Sequence, residues 1–507
     1  MLIEKGQQLM KTDSALQSPL LPPAPPVLPE NAKGAPPVAQ VLVNDGNVKI
    51  EKVLSLDIDE TGRTYVVAEG IQLTTTNQAD RVSLHAGANG QVHARINGKH
   101  YELPITRGDM DQTLVIKTRG GDDSISIDPA INVAVDIFAS DGNDHIRAGG
   151  GITRVFAGKG NDVVCMGGGK GLAFGGDGDD LMFAGTGSAV ISGGRGRDSM
   201  FAGQGPQTRT LYLSGDQDED DLHGGDGKVI LNGGSGNDKL VGYRRTTMYT
   251  GNGEDSVYSA HKADLIYAKN TDRIHNHSGA KVTEIRPSDA GKRGFQIVGA
   301  PDFIERIENK MEELRASPAG QKLLEEMDKL AEKIGSPVII RTPYAVQYAD
   351  AYWFDSKFVD TYDPEAEPED DDHAPKYGFI KEGLAGAVAT RAVVTIRSTD
   401  NEDALGLSPL ISLFHEMIHA YSGATGTQIP GYQPLIDDDG TPLVFEGVPE
   451  REDIRELQTV GLPHSGEAFD FDNDPSTPPT TKNPYPFYEN ALREELGVPL
   501  RKRYTEL

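Results

Sequence analysis

The feature that most constrains this chain is a repeat of about eighteen residues built on Gly-x-Gly-x-Asp. It occurs at Gly158–Asp162, Gly176–Asp180, Gly194–Asp198, Gly234–Asp238 and Gly251–Asp255, with weaker copies ending at Asp123, Asp144 and Asp220. Successive aspartates lie 21, 18, 18, 18, 22, 18 and 17 residues apart, the long step carrying a turn-like insertion around Gly205-Pro-Gln-Thr. Two places after each aspartate the residue is apolar: Ile125, Ile146, Val164, Met182, Met200, Leu222, Leu240 and Val257. A second apolar set, Val155, Ala173, Ile191, Leu231 and Ile266, follows nine residues behind the first. Each period therefore writes two short strands joined by glycine turns, which predicts a parallel β-solenoid, a β-roll or β-helix, whose coils stack on one another. The half-coils hold Thr153, Gly171, Ala189 and Val229 in the aspartate slot, so carboxylates line one edge only.

This regularity resembles the calcium-binding nonapeptide Gly-Gly-x-Gly-x-Asp-x-hydrophobe-x of the repeats-in-toxin β-roll. The resemblance implies calcium along the acidic edge, with Asp162, Asp180, Asp198 and Asp238 as the best ligands, because a hard cation needs oxygen ligands stacked from adjacent coils. The alternative is a metal-free solenoid whose aspartates cap turns. Runs such as Val53–Ile58, Thr64–Val67, Leu114–Lys117 and Val133–Phe138 spread β-prone sequence over about 41–285. Ahead of it, residues 1–40 include Pro19-Leu-Leu-Pro-Pro-Ala-Pro-Pro and Gly34-Ala-Pro-Pro. Such proline density extends the chain and removes donors, which predicts a disordered tail, either a spacer or a secretion address.

The region 296–507 follows different rules. Apolar residues at 303, 304, 307, 311 and 314 predict an amphipathic helix over Asp302–Leu314, and Leu323, Leu324, Met327, Leu330 and Ala331 predict another over Gly320–Ile334. Val338-Ile-Ile-Arg and Ala392-Val-Val-Thr-Ile-Arg read as strands, the second expected to be the edge along which an extended substrate adds its backbone. Between them Asp363–Asp372 is an acidic, proline-broken loop, read as a solvated excursion.

Within this region Ser412-Leu-Phe-His415-Glu416-Met-Ile-His419-Ala-Tyr421 holds His-Glu-x-x-His in a helical context. Four residues advance a helix by just over one turn, so His415 and His419 project from one face and can share a zinc ion. Glu416, about 100° round the helix, can take a proton from water at the ion's open position. A third ligand is needed. The metzincin continuation fails, since Ser422 stands where Gly belongs and Thr425 where the third His belongs. A second helix over Pro449–Gly461, with Pro at its start and Gly after its end, offers Glu450, Glu452 and Glu456.

His415-Glu-Met-Ile-His419-Ala followed by Arg455-Glu456-Leu-Gln-Thr-Val-Gly461 resembles the zinc signature of clostridial neurotoxin light chains and of NleD-type effector metallopeptidases. The resemblance covers roughly the last 210 residues, including Leu314–Gly320 and Tyr488–Gly497. It implies an α+β zincin-like peptidase domain with Glu456 as third ligand, and Arg501 and Tyr504, the family's Arg-x-x-Tyr, as stabilisers of the oxyanion. A guanidinium and a phenol suit developing negative charge. Arg455 stands where the neurotoxins carry an acid, so no carboxylate behind the ligands is carried over.

Composition narrows the function. A formal net charge of −28 argues against a nucleic-acid backbone or an anionic membrane as partner. One cysteine, Cys165, excludes internal disulfides. No run of 18 apolar residues suggests a transmembrane helix, and the N-terminus lacks a secretory leader's basic head and apolar core, so export is expected through a specialised secretion system. The expectation is a zinc endopeptidase, with calcium in its repeats, acting on a protein substrate as a secreted bacterial effector or toxin. NleD-type members cut mitogen-activated kinases, which implies a host signalling protein. Two other classes fit the sequence: an antibacterial peptidase toxin, and a calcium-dependent adhesion or carbohydrate-binding solenoid with a vestigial peptidase attached.

Overall fold

Both apolar sets of the repeat are buried. Ile146, Val164, Met182 and Met200 of the first, and Val155, Ala173 and Ile191 of the second, are at most 2% exposed. The computed structural model describes residues 38–58, 64–106, 108, 112–342, 351–355, 375–396, 409–436, 441–445, 448–472 and 474–503. The proline-rich tail up to 37 and the acidic loop 363–372 lie outside the described residues. The last positions assigned to that tail, 38–40, open the strand Val38–Asn44. The fold is a parallel β-solenoid followed by an α+β domain, as the sequence predicts. The chain divides into two compact units, Met1–Asp221 and Leu222–Leu507.

In the first unit like stacks on like. Ala173 faces Val155 and Ile191 in one parallel sheet, and Met182 faces Val164 and Met200 in the other. Phe138, Phe156 and Phe174 stack outside with ring centroids 4.9 and 5.4 Å apart. The Gly-x-Gly turns have a steric cause. Gly176 and Gly178 sit at φ +119° and +140°, and a Cβ on either would strike the carbonyl oxygen of Gly158 or Gly160 one coil away. The runs at 53–58 and 64–67 are strands too, but in antiparallel pairing: Lys49–Ile58 lies between Val38–Asn44 and Thr64–Thr74. Thr64–Thr74 then pairs in parallel with Gln112–Lys117, where the coils begin.

The second unit opens with coils of the same kind. Lys228–Ser235, Thr246–Tyr249, Leu265–Ala268 and Lys281–Glu284 pair in parallel, as do Lys239–Gly242, Ser256–Ser259 and Arg273–Asn276. A four-stranded sheet follows in the order Phe295–Val298, Val338–Arg341, Arg391–Thr395, Ala351–Asp355, the last strand antiparallel. The sequence reading made the strand before the active helix an edge. Instead Arg391–Thr395 is flanked on both sides, and Ala351–Asp355 forms the edge, because the chain places that earlier strand outside the later one.

Helices α1 (Pro301–Ala316) and α2 (Pro318–Ile334) are separated by Ser317 alone, whose hydroxyl accepts the Gly320 N–H and starts α2. Helix α3 (Pro409–Thr425) is a core element: Leu413, Phe414, Met417 and Ile418 are fully buried, each contributing roughly 1.5–3 kcal/mol. Helix α4 is shorter than the predicted 449–461 and spans Ile454–Val460. Its start is set by Arg451–Asp453, which pairs with Tyr432–Pro434, and by the Asp453 carboxylate, which accepts the Arg455 N–H at 2.9 Å. Helix α5 (Glu489–Leu496) joins these elements to the coils of its own unit. Tyr249 Oη donates to Glu495 Oε1 at 2.9 Å, Thr247 Oγ1 donates to the Leu496 carbonyl at 3.0 Å, and Glu495 Oε2 accepts the Ala319 N–H at 2.8 Å.

Candidate metal centre

Helix α3 carries His415 and His419 one turn apart, and α4 brings Glu456 against them. His415 Nε2 and His419 Nε2 are 3.2 Å apart, and Glu456 Oε2 lies 3.3 Å from the first and 3.0 Å from the second. An ion with four tetrahedral ligands at about 2.0–2.1 Å has ligand-to-ligand edges of about 3.3 Å, so this triangle has the size of one face of such a site. A tetrahedral ion seated on this face has one further corner, which hydrolytic zinc sites give to water or substrate. The three groups can hold a metal ion.

The partners behind the imidazoles decide which nitrogens face inward. His415 Nδ1 lies 2.8 Å from Glu489 Oε2 on α5, and a carboxylate can only accept, so Nδ1 carries the proton. Thr459 Oγ1 donates its one proton to the Arg455 carbonyl at 3.0 Å and therefore accepts from His419 Nδ1 at 3.2 Å. Both Nε2 lone pairs then point at Glu456 Oε2. Three buried lone pairs in such proximity repel unless a positive charge lies between them, which is the fit expected of a cation site.

The titration behaviour of the groups agrees. Burial pulls His415 down, but Glu456, Glu489 and Glu416 outweigh it and hold the imidazole up at about 10. Burial keeps His419 below its ordinary value. Burial would raise Glu456, yet His419 and His415 hold it well below the carboxylate range. Glu489 is held at about 2 against the effect of burial by His415, Arg493 and Arg501; Arg493 Nε is 2.6 Å from its Oε1 and Arg501 Nη1 is 3.2 Å from its Oε2.

The aspartates of the repeat form a ladder. Asp144 N–H donates to Asp162 Oδ1 at 2.6 Å, Asp162 N–H to Asp180 Oδ1 at 2.8 Å, and Asp180 N–H to Asp198 Oδ1 at 2.8 Å. One oxygen of each thus caps the preceding coil. The other does not: among the described residues, Oδ2 of Asp123, Asp144, Asp162, Asp180 and Asp198 is buried with no hydrogen-bond partner. Burial pushes the carboxyls of Asp162, Asp180 and Asp198 up to about 6, 7 and 8. A Cβ on Gly175 would strike Asp180 Oδ2 and the carbonyl oxygen of Gly193 from the next coil, and one on Gly193 would strike Asp198 Oδ2 and the Gly215 carbonyl. The bare oxygens of Asp180 and Asp198 therefore each share a cradle with a carbonyl oxygen of the next coil, a set suited to a hard cation. Asp238 takes its place in the second unit's ladder, its N–H donating to Asp255 Oδ1 at 2.9 Å.

Residues 291–504 match the Peptidase_M91 family, described as effector protein. The matched region contains all three converging groups and the residues behind them. Residues 138–171, 174–206 and 214–244 match the RTX calcium-binding nonapeptide repeat. No curated protein and no solved structure matches the chain.

Within the matched region the structure brings His415, His419 and Glu456 together, while Glu450 and Glu452 precede α4 and fall outside the cluster. Glu416 is buried on α3 beside His415. Arg501 is buried against Glu489, and Tyr504 lies outside the described residues. Sequence reasoning did not single out Glu489 or Thr459. A signal for Glu489 existed in the spacing Glu489–Arg493 beside Ala491, Leu492 and Leu496, an i, i+4 ion pair on a helix with a buried face.

Proposed function

We propose that the chain is a zinc-dependent endopeptidase, delivered as a bacterial effector or toxin, that cuts a protein of the cell it enters. The observation that carries this reading is the convergence of two imidazole nitrogens and one carboxylate oxygen at separations of 3.0–3.3 Å, inside the region that matches an effector peptidase family. His415, His419 and Glu456 would hold the ion, and zinc there supplies a Lewis acid that polarises a scissile carbonyl and brings the pKa of a water towards about 7.

The chain's own groups do the rest. Glu489 and Thr459 keep both Nδ1 protons in place, so the Nε2 lone pairs stay aimed. Glu416 takes the attacking water's proton and returns it to the leaving amine. Arg501 and Tyr504 are assigned to the oxyanion by likeness to neurotoxin light chains and NleD-type peptidases, and the Arg501–Glu489 bond gives the guanidinium a second task behind His415. The backbone edge of Ala351–Asp355 receives an extended substrate by strand addition. The NleD likeness favours a host signalling kinase as target and a specialised secretion system as route.

We infer a second metal role for the solenoid, with calcium bound along one edge at Asp162, Asp180, Asp198 and Asp238. The bare Oδ2 atoms of the first three support it.

The peptidase reading is tested by treating host lysate with the zinc-loaded chain and with Glu416→Gln, then mapping new protein termini. The expected result is a discrete set of termini made by the wild type and lost in the variant, while both bind zinc. Equal termini from the two would remove Glu416 as the base.

A further inference from the structure

The aspartate ladder changes character at its last rung. Asp255 N–H donates to Asp272 Oδ1 at 3.2 Å, so the backbone pattern continues. The second oxygens break it. Lys269 Nζ lies 2.8 Å from Asp255 Oδ2 and 3.4 Å from Asp272 Oδ1, and it donates to Thr250 Oγ1 at 3.3 Å and to the Gly251 carbonyl oxygen. Asp272 Oδ2 accepts from Thr250 Oγ1 at 2.7 Å and from the Lys269 N–H at 2.7 Å. Lys269 is only 8% exposed. The atom it meets, Asp255 Oδ2, corresponds to the one left bare in Asp162, Asp180 and Asp198. An ammonium thus stands among carboxylate and carbonyl oxygens in the last slot, whereas among the described residues Oδ2 of Asp162, Asp180 and Asp198 meets no hydrogen-bond donor.

The sequence of this turn is altered to match. Ala268-Lys-Asn-Thr-Asp272 replaces Thr250-Gly-Asn-Gly-Glu-Asp255: one residue is lost and both glycines are gone. A lysine side chain from the shortened turn reaches back into the coil before it. That coil bears Thr247 and Tyr249, which hold the end of α5, and α5 carries Glu489 behind His415.

We propose that Lys269 is a built-in replacement for the cation in the last aspartate slot, so that the coils anchoring the peptidase fold hold together without calcium while the coils upstream require it. The proposal rests on the calcium reading of the ladder. A charge tethered to the chain cannot be diluted or chelated, so the metal centre stays supported in calcium-poor solution.

Amide hydrogen exchange on the full chain, in calcium and in chelator, tests it with the wild type and Lys269→Met. In the wild type, segments within 145–200 should lose protection in chelator by about tenfold or more while 246–276 keep theirs. In Lys269→Met, 246–276 should become calcium-dependent as well, including a chain that folds only with calcium present. Loss of protection at 246–276 along with the upstream segments in the wild type would overturn the proposal and leave the ladder reading standing. No response to calcium at 145–200 would end the ladder reading and the proposal together. A Lys269→Met chain as protected as the wild type in chelator, or unfolded even in excess calcium, would also overturn it, since neither describes a slot that a cation fills.

Discussion

Glu489 Oε2 lies 2.8 Å from His415 Nδ1, although the two residues are 74 positions apart and on different helices. This bond, with Arg493 and Arg501 gripping the same carboxylate, fixes the ring whose Nε2 faces Glu456 Oε2. Replacing Glu489 by Gln keeps the shape but removes the charge, and zinc affinity should fall about 10–100-fold, as for other carboxylates behind a ligand histidine. Competition against a chromogenic chelator reads the change, and an unaltered affinity would show that the bond has no part in holding the metal.

The cradle beside Asp180 predicts the outcome of a one-methyl change. Gly175→Ala puts a Cβ where Asp180 Oδ2 and the Gly193 carbonyl oxygen converge. The variant should bind about one calcium fewer than the wild type, if each cradle holds one ion. Equilibrium dialysis with radioactive calcium counts them; equal counts would detach the cradle from the ion.

The same ladder sets a pH dependence in chelator. Asp162, Asp180 and Asp198 hold their protons up to about 6, 7 and 8, against an ordinary 3.8. The folded chain then binds protons that the unfolded chain has already released, so stability must fall as pH rises from about 4 to about 8. Without calcium the solenoid should melt higher near pH 5.5 than near pH 8, and calcium should shrink the difference. A melting temperature that climbs over this range would reverse the sign and refute the burial of these carboxyls.

Glu495 joins three elements by accepting from Tyr249 and from Ala319 at the start of α2. In Glu495→Leu both acceptor oxygens are lost, and the buried Ala319 N–H left without its partner should cost about 1–3 kcal/mol. Urea unfolding followed through segments of residues 222–507 measures it. A variant as stable as the wild type would mean that this junction carries no strain when broken.

What could be read in the sequence, and what could not, follows the range of the interactions. The eighteen-residue period is local, so the strand positions Val164 and Ala173 were legible one by one. His415 and His419 are linked by helix geometry alone, whereas Glu456 needed a family likeness because its placement depends on how α4 packs. Glu489 was illegible for a related reason: on paper it is one acid in a charged helix, and only packing of α5 against α3 turns it inward. The start of α4 was misread because Pro449 suggests a first turn, while strand pairing by Arg451–Asp453 keeps that stretch extended. The sheet edge was misread because strand order departs from chain order.

The aspartate ladder also has a direction. From Asp80 through Asp123, Asp144, Asp162 and Asp180, each amide is completed by the carboxylate of the coil that comes next in the chain. A polypeptide emerging amino end first, from a ribosome or a secretion channel, therefore cannot finish any rung until the following turn has appeared. Assembly must lag one turn behind emergence, so the newest turn stays incomplete until its successor arrives and everything before it is already closed.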